Sequence, residues 1–257
     1  MAWFGGSYIS GLTPDGKKLL STNVGEAGGP DYTVLLRDTD GSPPTILGKG
    51  IGAAISADAK WVITMPARGG PLSLVPTGAG EARVLTHNKV NYDAVSFLPD
   101  GKQLLASGVE AGRGKRGYLI SLTTGDSKPI TPEGTLGFRV STDGKNAAVV
   151  GSDGRWSAWA LDGSGSRPIP GLDSKYDVIN WSSDGKSLYV APNQGDNLAT
   201  VYKVDLATGK MNLWKTLGQN NGEKEFMTDP QVTPDGAAYA YMHLSTVGRA
   251  LLVTGLQ

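Results

Sequence analysis

An Asp-Gly-Lys turn returns along the 257-residue chain at nearly constant spacing, and this repeat limits the fold more than any other feature. Four copies are complete: Pro14-Asp15-Gly16-Lys17, Pro99-Asp100-Gly101-Lys102, Thr142-Asp143-Gly144-Lys145 and Ser183-Asp184-Gly185-Lys186. Ala57-Asp58-Ala59-Lys60 and Pro234-Asp235-Gly236-Ala237 are variants of the same turn. From Asp to Asp the intervals are 43, 42, 43, 41 and 51 residues. A unit of that length holds four short strands and four turns, but not a strand and a long helix. Asp-Gly suits the reversal between antiparallel strands, because Gly accepts positive φ and the Asp side chain bonds its own backbone. Ala59 breaks that rule, so the second unit uses a different turn or carries strain there.

The segments between turns keep one order. Apolar residues flank each Asp-Gly, as in Val95-Ser96-Phe97-Leu98 before and Gln103-Leu104-Leu105-Ala106 after. Third strands are predicted at 32–36, 72–75, 118–122, 156–160, 200–204 and 250–253, and most run into a small-residue turn such as Thr124-Gly125-Asp126 or Thr208-Gly209-Lys210. A short fourth strand follows. No helix is predicted beyond a single turn within 221–227. The reading is an all-β chain, one domain over residues 1–257, folded as a six-bladed β-propeller of four-stranded antiparallel blades. The last unit runs out after three strands. Residues 1–5 would supply its fourth, with only Gly6 as a link. Closure is then strained, or the last blade has three strands, or the chain is a fragment of a larger propeller.

Composition narrows the function classes. Lys plus Arg equals Asp plus Glu, 24 against 24, so no large field exists to hold a nucleic-acid backbone, and no nucleic-acid partner is expected. The absence of cysteine removes disulfides, thiol nucleophiles and thiolate metal sites. No run of 18 apolar residues occurs, so no membrane contact is expected from this chain itself. His87 and His243, the only histidines, lack metal-ligand spacing, and no twelve-residue calcium loop is present. No metal site and no cofactor are expected.

The motifs for catalysis are equally sparse. Residues 108–117, GVEAGRGKRG, are the most phosphate-loop-like segment but lack the Gly-Lys-Ser/Thr ending and would join two strands, without a helix dipole. They are read as an exposed hairpin, with Arg113, Lys115 and Arg116 available for a local anion or partner contact. Gly163-Ser164-Gly165-Ser166 does not fit a nucleophile elbow. No catalytic residue is assigned.

The Pro-Asp-Gly-Lys repeats resemble those of TolB-type, WD-like β-propellers, without the Gly-His and Trp-Asp pairs of true WD repeats. Gly28-Gly29-Pro30-Asp31-Tyr32, the segment 37–47, Leu74-Val75-Pro76-Thr77-Gly78-Ala79-Gly80-Glu81, Ile130-Thr131-Pro132-Glu133-Gly134 and Gly255-Leu256 resemble the propeller region attached to bacterial serine/threonine protein kinases and related signalling proteins. The resemblance implies a sensory or protein-interaction half, often beyond a membrane span, and transfers no active-site residue. Kinase signatures themselves are absent.

One constellation remains. Tyr92-Asp93 and Tyr176-Asp177 hold the same register before their turn Asp, at the entrances of innermost strands, with Lys89 and Lys175 preceding them. Phe226 and Asp229 stand near the equivalent entrance of the sixth unit. In a propeller these entrances share one face with the loops between second and third strands. Aromatic groups, carboxylates and cations on one rim suit recognition of a protein or small ligand. The alternative is that each Asp tethers its own loop and each Tyr packs over a blade edge. Three functions are therefore open: a non-enzymatic sensory or interaction module, a glycosidase or lyase using paired carboxylates at the channel mouth, and a structural spacer.

Overall fold

Five of the six repeats share a hydroxyl-aspartate turn. In the first, Thr13 Oγ1 donates to Asp15 Oδ1 (2.6 Å), Asp15 Oδ1 accepts the Lys17 amide (3.1 Å), and Thr13 Oγ1 accepts the Lys18 amide (3.0 Å). The Gly16 amide closes the turn on the Thr13 carbonyl at 2.8 Å. Ser56, Ser141, Ser182 and Thr233 make the same hydroxyl-to-carboxylate bond with Asp58, Asp143, Asp184 and Asp235. The third repeat has Leu98 in place of the hydroxyl and keeps only the amide bond to Asp100, from Lys102 at 2.9 Å. Leu98 is instead buried against Leu105 and Phe138.

The computed structural model describes residues 6–86, 88–193, 199–217 and 225–245. Four-stranded antiparallel blades are built, innermost strand first, by β1 (Ser7–Leu12), β2 (Lys18–Asn23), β3 (Thr33–Asp38) and β4 (Thr45–Lys49), then by β5 (Ile51–Ile55), β6 (Trp61–Met65), β7 (Ser73–Pro76) and β8 (Arg83–Val84). The third blade comprises β9 (Asn91–Phe97), β10 (Gln103–Val109), β11 (Arg116–Ser121) and β12 (Ser127–Pro129). The fourth comprises β13 (Leu136–Val140), β14 (Asn146–Val150), β15 (Arg155–Ala160) and β16 (Ser166–Asp173), and the fifth β17 (Tyr176–Trp181), β18 (Ser187–Pro192), β19 (Ala199–Asp205) and β20 (Met211–Leu217).

The sixth turn joins only β21 (Glu225–Val232) and β22 (Tyr239–Ser245), a two-stranded sheet among the described residues. The expectation of six blades is therefore corrected to five. The physical reason is that an Asp turn specifies one hairpin, the first two strands of a unit, and says nothing of the outer pair. The strand predicted at 250–253 and the closing segment 1–5 lie outside the described residues, as do residues 221–224 of the predicted helical turn. The β21–β22 pair packs against β1 on one side and against β17 and β19 on the other, so it occupies the gap between the fifth and first blades.

The core is laminated between blade faces. Tyr118, Ile120, Leu104, Ile63 and Leu72 join the second and third blades, while Trp156, Trp181, Leu188 and Val204 join the fourth and fifth. Val232 of β21 packs with Ile179, Tyr189 and Leu217 of the fifth blade. At about 2 kcal/mol for each fully buried large apolar side chain, these lamellae supply the main drive for ring assembly.

Ala59 resolves its two alternatives in favour of strain. Its turn keeps the common geometry, with the Ala59 amide on the Ser56 carbonyl at 2.9 Å and the Lys60 amide on Asp58 at 3.1 Å, but Ala59 sits at φ 56°. Ala59→Gly is expected to stabilise the protein by about 1 kcal/mol in a urea titration, because a Cβ is disfavoured at that φ.

The turn carboxylates also make acid stability predictable. Hydrogen bonds from the neighbouring hydroxyl and then from the backbone amide hold Asp15, Asp58, Asp143, Asp184 and Asp235 below the ordinary aspartate range. A carboxyl depressed by folding stabilises the native state above its unfolded pKa, and the benefit disappears as pH falls through the folded pKa. Asp143→Asn should therefore lower stability at pH 7 and flatten the loss of stability on acidification below pH 4. Urea midpoints measured from pH 7 to pH 2 test this. Parallel curves for variant and parent would exclude it.

Candidate functional site

Every innermost strand carries a β-bulge against its second strand. A bulge leaves a residue out of the ladder and re-aims its side chain. In β9 the ladder skips from Ala94 to Tyr92, so Asp93 is the unpaired residue and is exposed. In β21 it skips from Gln231 to Thr228 across Asp229 and Pro230, and Asp229 is held at φ 51°. Asp is among the few residues that tolerate this region.

The predicted residues sort into three local groups. Tyr92 is 5% exposed and serves the core: its ring meets Tyr118 edge-on at 5.8 Å, and its hydroxyl accepts from Asn88 Nδ2 at 2.9 Å. Burial raises its phenol pKa. Asp93 forms an ion pair with Lys115. The remaining cations of the 108–117 hairpin are paired too. Arg116 Nη2 donates to Glu110 Oε1 (3.0 Å), which also accepts from the Tyr118 hydroxyl (2.8 Å). Arg113 lies 3.4 Å from Glu133 and 3.6 Å from Glu110. The Tyr118 and Arg116 bonds lower the Glu110 pKa, and the Gly114 amide, bonded at 2.9 Å, lowers that of Glu133. The hairpin is a neutralised charge network rather than a free basic patch.

The second group lies in the fifth blade. Tyr176 meets Tyr202 edge-on at 6.3 Å, and its carbonyl accepts from Trp156 Nε1 at 3.0 Å, linking the fourth and fifth blades. Asp177 keeps solvent access, yet neighbouring protein desolvates its carboxyl and raises its pKa, opposed by the charge of Arg139. Arg139, in β13, is half-buried, and desolvation by the surrounding protein lowers its pKa against the pull of Asp177. Its Nε donates to the Ile179 carbonyl (3.3 Å) and its Nη1 to the Phe138 carbonyl (3.1 Å). The third group is Asp229, whose Oδ2 accepts from Thr228 Oγ1 at 3.2 Å. Phe226 belongs to β21, and its side chain lies outside what is described.

The three carboxylates thus have separate neighbours: Lys115 for Asp93, Arg139 for Asp177 and Thr228 for Asp229. Among the described residues no three His, Cys, Asp or Glu side chains cluster as metal ligands. His87 lies outside the described residues. No helix of the described residues is long and apolar enough to cross a membrane.

Sequence reasoning passed over three residues of the innermost strands. Tyr8 and Leu136 are 54% and 41% exposed, at the start of β1 and β13. Both lie seven residues before their turn Asp, the position that Asp93 and Asp177 hold in their own strands. That register would have found them had apolar residues been sought with the charged ones. Arg139 was detectable as the one charge inside Leu136-Gly137-Phe138-Arg139-Val140.

No protein-family model and no curated protein matches the chain. Solved structures do. TolB from Acinetobacter baumannii superposes with a TM-score of 0.67 at 22% identity, over 86% of this chain and 56% of that one. A TolB-designated protein of Agrobacterium tumefaciens gives 0.69 at 19% identity, over 94% and 91%. An oligogalacturonate lyase from Vibrio parahaemolyticus gives 0.64 at 16% identity, over 90% and 68%. The chain spans just over half the length of the Acinetobacter protein. These likenesses place the chain in a TolB-like β-propeller fold.

Proposed function

We propose that the chain is a non-enzymatic recognition propeller that binds a protein or small ligand on the rim where the innermost strands begin. The observation that carries this is the placement of exposed Tyr8 and Leu136 at the same strand position as Asp93 and Asp177. Apolar side chains ringed by charge supply the contact area and register of an interaction surface. Tyr176, Lys115, Arg113, Arg116 and Asp229 belong to the same surface, with Tyr92 beneath it and Phe226 assigned on sequence position. Separate neighbours for the three carboxylates disfavour an acid/base pair across one substrate. The higher TM-scores for the TolB structures than for the lyase support the same reading. The kinase-like sequence segments support placing such a module within a bacterial signalling protein, outside its catalytic part.

The test is affinity capture from a bacterial extract with three immobilised forms: parent, Tyr8→Ser/Leu136→Ser, and a control, Leu213→Ser, which alters an exposed leucine on the outermost strand β20. One partner retained by parent and control but lost with the rim variant supports the proposal. Equal retention by all three removes it, as does cleavage of a polysaccharide by the parent that Asp177→Asn abolishes.

A further inference from the structure

A cavity of about 370 Å³ opens between the first and second blades, at the end of the molecule where the innermost strands begin. Its volume is in the range of small-molecule sites. Asp31, Lys49, Thr64, Pro66, Arg68 and Ser73 line it. Thr64 and Ser73 are cross-strand partners in β6 and β7, so two hydroxyl residues stand side by side on regular structure. The other walls come from the loop after β2, the loop after β6 and the β4–β5 link.

The backbone around it is held in costly conformations. Gly50 is buried at φ 111°, where a Cβ would lie 2.5 Å from the Met65 carbonyl oxygen, and its amide donates to the Asp31 carbonyl at 2.9 Å. Tyr32, next to Asp31, sits at φ 60°. A bulky residue in the left-handed region is an outlier that persists only where its surroundings enforce it.

Two features of the lining suit a polar, anionic ligand. Thr64 is 7% exposed and lines the cavity, yet its hydroxyl bonds to no described residue. That hydroxyl is left as a donor and acceptor for whatever enters the cavity. The charges differ from those of the 108–117 hairpin, where each cation has a carboxylate. Lys49 Nζ reaches only the Thr33 hydroxyl, at 3.5 Å, and Arg68 forms no ion pair among the described residues. Lys49 and Arg68, both exposed, are therefore available to an anion in the cavity, with Asp31 in the same lining as an acceptor.

We infer that this cleft binds a small hydroxylated acid, with its carboxylate or phosphate on Lys49 and Arg68 and its hydroxyls on Asp31, Thr64 and Ser73. Pro66 offers an apolar surface for the carbon face of a ring. Both acidic groups satisfy the same two cations, so the shared chemistry is an anion next to hydroxyls. Tyr8, Leu136 and Asp177 are not part of its lining, and its test is independent of the rim proposal.

Isothermal titration of the full chain with D-glucuronate, glucose 6-phosphate, glucose and inorganic phosphate tests it. At least one sugar acid is expected to bind with a Kd at or below about 1 mM, at least tenfold tighter than glucose and than phosphate. Which of the two acids binds better identifies the anion. Arg68→Met and Lys49→Met should each weaken that binding at least tenfold, and Thr64→Val about fivefold, with unchanged far-UV circular dichroism. Lys49 and Arg68 are exposed and Thr64→Val removes only a hydroxyl, so the circular dichroism control separates lost binding from lost folding. Binding by neither acid, equal binding of glucose, or full affinity in Arg68→Met overturns the assignment.

Discussion

Gly125→Ala is expected to destabilise the protein by about 4 kcal/mol, whereas the same change at Gly163 should cost only about 1 kcal/mol. Both glycines occupy the turn between the third and fourth strands of a blade, at φ 77° and 84°. The backbone cost of a Cβ is therefore the same. The surroundings differ. A Cβ on Gly125 would fall on the Leu85 carbonyl oxygen, at the exit of the second blade, whereas one on Gly163 meets nothing within 4 Å. Neither obstacle at Gly125 can move cheaply, because the Gly125 amide is bonded to the Ser121 carbonyl and the adjacent Thr86 is buried, its hydroxyl accepting the Leu72 amide at 2.9 Å. Gly209 repeats the arrangement against the Pro170 carbonyl of the fourth blade. Gly209→Ala should behave like Gly125→Ala. Urea unfolding of the three variants followed by circular dichroism separates a uniform turn effect from contact between blades, since the first gives three similar midpoints.

These glycines show where the sequence was legible and where it was not. Asp15, Asp58, Asp143, Asp184 and Asp235 announce their hairpins because every bond that makes the turn is local, spanning at most five residues. Thr124-Gly125-Asp126 and Asp162-Gly163-Ser164 read alike as turns, since what separates them is the chain of another blade. The blade count failed for a related reason. Asp235 marks a hairpin as faithfully as Asp143 does, but four-strand pairing depends on segments that no turn residue specifies. Leu98 is the converse case, a departure from the motif that makes sense only against Phe138, forty residues on. The candidate site divides in the same way. The shared register of Asp93 and Asp177 was visible as spacing, whereas the pairing of Lys115 with Asp93, and of Arg113 and Arg116 with Glu110, needed the folded hairpin.

Arg139→Leu should cost about 2 kcal/mol at neutral pH, because the Ile179 and Phe138 carbonyls lose a charged donor, and the variant should also change how stability depends on pH. Folding raises the pKa of Asp177, through desolvation that the Arg139 charge partly offsets. A carboxyl raised by folding opposes the native state above its folded pKa and ceases to do so below its unfolded pKa, where both forms are protonated. Removing Arg139 leaves the desolvation unopposed and moves Asp177 further up. The deficit of Arg139→Leu should then shrink as pH falls from 7 towards 3, leaving the part that belongs to the two carbonyls. Adding Asp177→Asn should recover the pH-dependent part at neutral pH and nothing in acid. A double-mutant cycle at pH 7 and pH 3 measures this coupling directly. Coupling at pH 7 that vanishes at pH 3 assigns Arg139 the task of keeping Asp177 ionised on the rim. Equal coupling at both values would give it a purely structural role between the fourth and fifth blades, where Trp181 Nε1 already holds its carbonyl at 2.8 Å. The first outcome fits the rim proposal, in which Asp177 contributes its charge to a recognition surface.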